Sequence, residues 1–204
     1  MEETFRYRIP ITKWVKANIL GWAAGLVCIV IITWLVTGLG IHELHEGWGV
    51  IGLVFGCSIG LFQWLTLRRI LPIHRNWIRD SALGIGIPFL IADAIVYFFK
   101  FNSESIYDFI IPIASGGFLA GLLQYKYVKP FSDRPTWWIL ISITGWLLAV
   151  LAFYCISWLE VSVHGQFFQF VVDALIFMIG VILFGLVTGI CLNKILSKQK
   201  PKNV

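Results

Sequence analysis

A chain of 204 residues is long enough for one or two water-soluble domains, but 58% of this one is hydrophobic and only 13% charged, about half the charged fraction of a soluble domain. A soluble fold of this size cannot hide so much apolar surface from water, which leaves lipid as the solvent. The net charge of +5 comes from 16 Lys and Arg against 11 Asp and Glu, and their spacing decides what it means.

Taken in chain order, the charges mark out six apolar stretches. No charge or histidine interrupts Lys16 to His42, nor Glu46 to Arg68. Between Asp80 and Lys100 only Asp93 intervenes. Asp108 to Lys126, Arg134 to Glu160 and Asp173 to Lys194 are again uninterrupted. Each stretch is close to the ~20 residues that a helix needs to cross ~30 Å of hydrocarbon. Runs such as Leu26 to Val36 are apolar on every face rather than alternating, which argues for helices over strands. The opening run is too long for a secretory h-region and lacks a small-x-small cleavage site, so it is read as a retained first helix. The expected fold is all-α: a single membrane domain over 1–204, bundling six transmembrane helices.

Orientation follows from Lys and Arg. Arg6, Arg8, Lys13 and Lys16 precede the first stretch; Arg68, Arg69, Arg75 and Arg79 fill the second connection. Lys126, Lys129 and Arg134 fill the fourth, and Lys194, Lys198, Lys200 and Lys202 follow the last stretch. In a six-span arrangement all of these share one side, and Lys100 alone is opposite. Both ends of the chain are therefore expected on the cytoplasmic side of the membrane. The positive charge is a topology signal, with attraction to anionic lipid, and not a nucleic-acid footprint. Trp14, Trp64, Trp77 and Trp138 fall near the basic side and Trp34, Trp48, Tyr97 and Trp158 near the other, where aromatic belts are expected. Cys28, Cys57, Cys155 and Cys191 form no Cys-x-x-Cys pair and are read as small packed residues.

The chain repeats itself. The first, third and fifth spans open on a Trp, a small polar residue four positions later and a Gly three after that: Trp14, Asn18 and Gly21; Trp77, Ser81 and Gly84; Trp138, Ser142 and Gly145. The second, fourth and sixth spans carry Gly-x3-Gly: Gly56 and Gly60, Gly117 and Gly121, Gly185 and Gly189. Gln63-Trp64 and Gln124-Tyr125 follow in the first two copies, then Arg68 or Lys129; Leu192 and Asn193 replace the pair in the third. The expected unit is a helical hairpin present three times in tandem, over about 12–70, 75–131 and 136–197. The glycines are expected to pack helices, because lipid gives helices no hydrophobic reason to associate and close backbone approach must serve instead. The element Gly-x3-Gly-x2-Gln-Trp-x2-Leu-Arg, here Gly56 to Arg68, resembles one carried in tandem by a group of bacterial polytopic membrane proteins. That resemblance implies a multi-pass bundle in a bacterial cytoplasmic (inner) membrane and brings no activity, substrate or cofactor.

Asp93 is the chief binding candidate, because an intramembrane carboxyl costs at least ~2.5 kcal/mol on insertion scales and so faces protein or water. Gly84 and Pro88 share its span, and a Gly/Pro-interrupted helix with one acid resembles the broken helices of transporters. Asp173 enters the sixth span from the same side as Asp93. Gln63, Gln124, Asn18, Ser81 and Ser142 cluster toward the basic side, as a polar vestibule or as interhelical hydrogen bonds. His42 and His45, three apart in the first acidic connection, are weak metal candidates; no cofactor is implied. No nucleophile-base order or phosphate loop occurs in any connection. The expected role is a non-catalytic accessory or scaffold subunit that meets lipid and other membrane proteins or itself. The rival is a small-solute or ion transporter, or its membrane substrate-binding subunit, with Asp93 at the site; a third alternative is an intramembrane enzyme with Asp93 or a histidine as catalyst. A polar cavity touching Asp93 favours the rival; a sealed apolar centre counts against it.

Overall fold

A computed structural model describes residues 7–39, 47–99, 107–158 and 166–196, with side chains for 7–39, 47–99, 110–151 and 175–196. The chain is all-α. Six helices follow in order: α1 (Ile11–Gly38), α2 (Trp48–Leu67), α3 (Asn76–Phe99), α4 (Tyr107–Val128), α5 (Trp137–Trp158) and α6 (Gln166–Ile195), with a 3₁₀ turn at Lys129–Phe131 after α4. Among the described residues, four helices are long and apolar enough to cross a membrane: α1, α2, α3 and the Leu175–Ile195 part of α6. The described apolar run of α5, Trp137–Leu151, is shorter, and α4 is diluted by Pro112, three glycines, Gln124 and Lys126. Six helices were expected and six are present; length and apolarity support membrane crossing for four of them.

Each helix packs against its neighbours in sequence, and α6 packs against α1, so the six close into a ring. Large apolar side chains cover the outside of the ring, among them Val30, Trp34, Leu35, Ile91, Phe98 and Leu151. A surface of this kind is stable against lipid and not against water. Inside, two clusters of buried residues stack along the ring. One holds Trp14, Trp77 and Trp138 with Leu67, Val128 and Leu192; the other holds Trp22, Ile85 and Trp146 with Ile59, Val181 and Phe184.

Glycine lets the neighbouring backbones approach. A Cβ on Gly56 would meet the Ser81 carbonyl oxygen at 2.6 Å, and one on Gly117 would meet Ile143 Cα at 2.9 Å. Gly185 stands over Val15, its notional Cβ 3.1 Å from that Cα. Thus α2 lies on α3, α4 on α5 and α6 on α1 through corresponding glycines. Gly21, Gly84 and Gly145 make the complementary contact, against Ile59, Ala120 and Thr188. Those three residues each precede the second glycine of a Gly-x3-Gly pair by one position.

Two aspects differ from expectation. Trp14, Trp77 and Trp138 are not belt residues at a lipid interface: all three are buried inside the ring, because their indole N–H groups have protein partners there. Trp34, Trp48 and Tyr97 are exposed, as a belt requires. Cys28 and Cys57 are exposed on the outside of the ring rather than packed within it.

Candidate functional site

At the end of the ring where α1, α3 and α5 begin, a belt of buried polar side chains crosses from helix to helix. The Trp77 indole N–H donates to Gln63 Oε1 at 3.2 Å, and Gln63 Nε2 donates to Asn18 Oδ1 at 2.9 Å. The Trp138 indole donates to Gln124 Oε1 at 3.0 Å, and Gln124 Nε2 donates to Ser81 Oγ at 2.8 Å. Asn18 and Ser81 bond in turn to the carbonyls of Trp14 and Trp77, one turn earlier. Each Gln thus bridges the odd-numbered helix on one side to the odd-numbered helix on the other.

Helix α6 reaches the same end with other residues. Leu192 stands where Gln63 and Gln124 would, and Thr188, one turn earlier, accepts the Trp14 indole N–H at 2.9 Å. Asn193, like Trp64, stands four positions after the second glycine of its Gly-x3-Gly pair. Trp64 Nε1 donates to the Ile73 carbonyl at 3.1 Å; Asn193 accepts the Ile9 N–H and donates to the Ile9 carbonyl, both at 2.8 Å. Both positions therefore grip the segment that leads into the next odd-numbered helix. The spaced cation of the motif has a contact as well: the Arg68 guanidinium lies 4.5 Å from the Trp64 ring, and the Lys129 ammonium 6.0 Å from the Tyr125 ring.

Beside the belt is a void of about 20 Å³, bordered by Gln63, Gln124, Ser142 and Thr188, room for about one water molecule. Farther from the basic end the axis widens into a cavity of about 410 Å³. Every helix contributes to its wall: Trp22, Phe55, Ile85, Ile113, Trp146 and Phe177, one from each. Among the described residues the wall is aromatic and aliphatic.

Asp93 borders neither space. Its Oδ2 accepts the Gly49 N–H at 2.7 Å, with a further bond from the Trp48 amide. These are first-turn amides of α2, which have no partner inside their own helix, and a carboxyl oxygen suits the positive end of the helix dipole. Asp93 therefore caps α2 from α3. Helix α3 is continuous through Pro88, and Gly84 is closed over by Ala120. No protein-family model matches the chain, and neither does any curated protein or solved structure.

The polar belt gathers Gln63, Gln124, Asn18 and Ser81, and Ser142 borders the same void. It leaves Asp93 elsewhere. The Asp173 side chain and both His42 and His45 lie outside the described residues. Among the described residues no cluster of three or more His, Cys, Asp or Glu could hold a metal.

The residue that sequence reasoning passed over is Asp80, treated there only as the edge of a span. Its side chain is 2% exposed. Oδ1 pairs with Arg79 Nη2 at 2.9 Å, and Oδ2 with Lys126 Nζ at 2.7 Å and the Tyr127 hydroxyl at 2.8 Å. The available signal was Tyr127: a hydroxyl beside a basic residue at a helix end, able to satisfy a carboxylate brought in from another helix.

Proposed function

We propose that the protein is a non-catalytic accessory or scaffold subunit of a bacterial cytoplasmic membrane. It is built from three tandem hairpins, over about 12–70, 75–131 and 136–197, with both ends of the chain cytoplasmic. The threefold recurrence of the glycine contacts and of the Trp-to-acceptor bond supports the repeat. The side shared by nearly all Lys and Arg supports the orientation. The resemblance of the Gly56–Arg68 element to tandem elements of bacterial membrane proteins supports the setting.

The observation that carries the functional reading is the chemistry of the axis. An ion or polar solute needs polar groups to replace its hydration along the whole path. Here the cavity of about 410 Å³ is walled, among the described residues, by apolar side chains. It narrows to a void of about 20 Å³ and then meets the packed cluster of Trp14, Trp77, Trp138, Leu67 and Leu192. Asp93, the one acid well inside a span, is occupied in capping α2. An interlocked ring with an apolar centre suits a part that holds other parts in place.

Reconstitution into sealed vesicles tests this reading. Proton and potassium flux should match protein-free vesicles, and Asp93→Asn should change neither. A flux that depends on Asp93 overturns the proposal. Gentle solubilisation followed by mass spectrometry should recover a stoichiometric protein partner. Reporter fusions at both ends and in the Arg68–Arg79 link should report cytoplasmic placement.

A further inference from the structure

We propose that the small void beside the polar belt is a binding site for one water molecule, and that this water joins α5 to α6. This goes beyond the scaffold reading and stands or falls separately from it.

Polar side-chain bonds link neighbouring helices around the ring, with one seam left out. Gln63 ties α2 to α1 at Asn18 and to α3 at Trp77. Gln124 ties α4 to α3 at Ser81 and to α5 at Trp138. Thr188 ties α6 to α1 at Trp14. Among the described residues no side-chain hydrogen bond joins α5 to α6; the Thr188 hydroxyl donates only within its own helix. The two helices nevertheless touch, since a Cβ on Gly145 would stand 2.7 Å from Thr188 Cγ2. Gln63 and Gln124 each follow the second glycine of a Gly-x3-Gly pair by three positions, and Leu192 holds that place after Gly189. The seam therefore lacks a link because it lacks the amide.

The same absence leaves a hydroxyl unpaired. Asn18 and Ser81, each four positions after a helix-opening Trp, accept the amide N–H of Gln63 and Gln124, and Ser81 donates to the Trp77 carbonyl. Ser142 holds the corresponding place after Trp138 and is 5% exposed, yet among the described residues its hydroxyl makes neither bond. Unlike the Trp22 indole nitrogen, its oxygen is not sealed in by packing, and Ser142 borders the void. Every residue around that void is buried, so it is an interior space and not a cleft. Its volume is about 20 Å³. A water needs ~10–15 Å³ and two to four polar partners. The wall can supply them. A primary amide has two N–H groups and a hydroxyl oxygen two lone pairs. Gln63 and Gln124 each spend one N–H on the belt, and Thr188 Oγ1 spends its proton and one lone pair. A water that donates to Ser142 and Thr188 and accepts an amide N–H satisfies the lone hydroxyl and closes the seam. An ion fits poorly, because no charged side chain borders the void and a buried charge needs a partner.

A crystal structure of the full chain from a lipid mesophase, at a resolution that shows ordered water, is the direct test and needs no variant. It should show one peak within about 3.2 Å of Ser142 Oγ and of Thr188 Oγ1 or a glutamine amide. An empty void overturns the site. A peak ringed by oxygens at about 2.4 Å is a metal cation and overturns it equally. Magnetic resonance in nanodiscs gives a second readout: the side-chain amide protons of Gln63 and Gln124 should receive magnetisation from water. Proton relay through the Ser142 hydroxyl alone would give the same signal, and Leu192→Gln separates the two. Its new amide should reach Ser142 as Gln124 reaches Ser81, displacing the water and keeping the hydroxyl. The transfer should then be lost, and its persistence overturns the site. The same variant should unfold in a denaturing-detergent titration at a midpoint no lower than that of the natural chain, because a direct link replaces the water. A lower midpoint would mean that the amide finds no partner there, and overturns the assignment of the seam.

Discussion

Gln124 Oε1 accepts the indole N–H of Trp138, fourteen residues later, at 3.0 Å, and Gln63 stands in the same relation to Trp77 at 3.2 Å. In each case the other half of the amide reaches the preceding odd-numbered helix, at Ser81 or Asn18. One side chain thus joins three helices. Thr188 accepts the indole N–H and otherwise bonds only within its own helix, to the Phe184 and Gly185 carbonyls. A leucine has close to the volume of a glutamine and neither polar group.

Gln124→Leu should therefore destabilise the folded bundle by about 1–2 kcal/mol. Interhelical hydrogen bonds in membranes average ~0.6 kcal/mol with a maximum near 1.7, and here a buried indole is also left unpaired. Thr188→Val, which removes one interhelical bond rather than two and likewise leaves a buried indole unpaired, should cost less than Gln124→Leu. Unfolding in mixed micelles on titration with a denaturing detergent measures both. Equal stability of Gln124→Leu and the natural chain would show the belt to be energetically idle.

The glycines divide by what surrounds them. A methyl on Gly56 would press on the Ser81 carbonyl at 2.6 Å and on Ala82 Cα at 2.8 Å, both backbone atoms that cannot rotate away. At Gly38 a methyl would meet nothing within 4 Å. Gly56→Ala should force α2 off α3 and cost about 1–3 kcal/mol, the range for overpacking. Gly38→Ala should be neutral or stabilising by up to ~1 kcal/mol, because alanine loses less backbone freedom in a helix. The same detergent titration checks the pair, and a Gly56→Ala protein as stable as Gly38→Ala would contradict the close contact.

Much of this architecture is legible in the residues because it depends on spacing. Trp14, Asn18 and Gly21 recur as Trp77, Ser81 and Gly84, and helical geometry alone puts such offsets near one face. Which surface that face meets is not legible, since periodicity cannot tell a lipid-facing stripe from a protein-facing one when both are apolar. Hence the three helix-opening tryptophans read as interfacial and are buried, and Cys28 and Cys57 read as packed and are exposed. Helix α6 is the harder case. Leu192 and Asn193 look like loss of the motif, but Thr188 and Asn193 supply acceptors from neighbouring positions, and only three-dimensional proximity reveals that. Asp93 stood out as an acid in an apolar run; that it caps α2 depends on the approach of Gly49 from a helix 44 positions away. The axial cavity left no trace in the sequence, because its wall is made of the same residue types as the surface.

Asp93→Ala should destabilise by ~1 kcal/mol, the usual loss for a helix cap, and Asp93→Asn by only a few tenths, because the amide oxygen still accepts the Gly49 N–H. The expense of placing a carboxyl in the bilayer does not reverse this order, since the unfolded helices inserted in the membrane bear it too. Amide hydrogen exchange gives a local readout. Protection at Gly49 should fall in Asp93→Ala and persist in Asp93→Asn; unchanged protection in both would show that the cap is not formed in solution.

The Asp80 cluster should show coupling rather than large single effects. Arg79 and Lys126 are both more than half exposed, at 59% and 52%, whereas Asp80 is 2% exposed. Removing one exposed cation leaves the buried carboxylate with the other and with Tyr127, so Arg79→Met or Lys126→Met alone should cost under ~1 kcal/mol, as surface pairs do. Removing both leaves Asp80 with the Tyr127 hydroxyl alone, and a buried charge without a counter-ion is expensive. The double variant should therefore exceed the sum of the singles by about 1–2 kcal/mol, within the range found for residues in one network. A detergent-unfolding double-mutant cycle measures that excess, and high salt should change it less than it changes the singles, because screening acts on exposed charges first. Simple additivity would mean that Asp80 tolerates its burial without either cation.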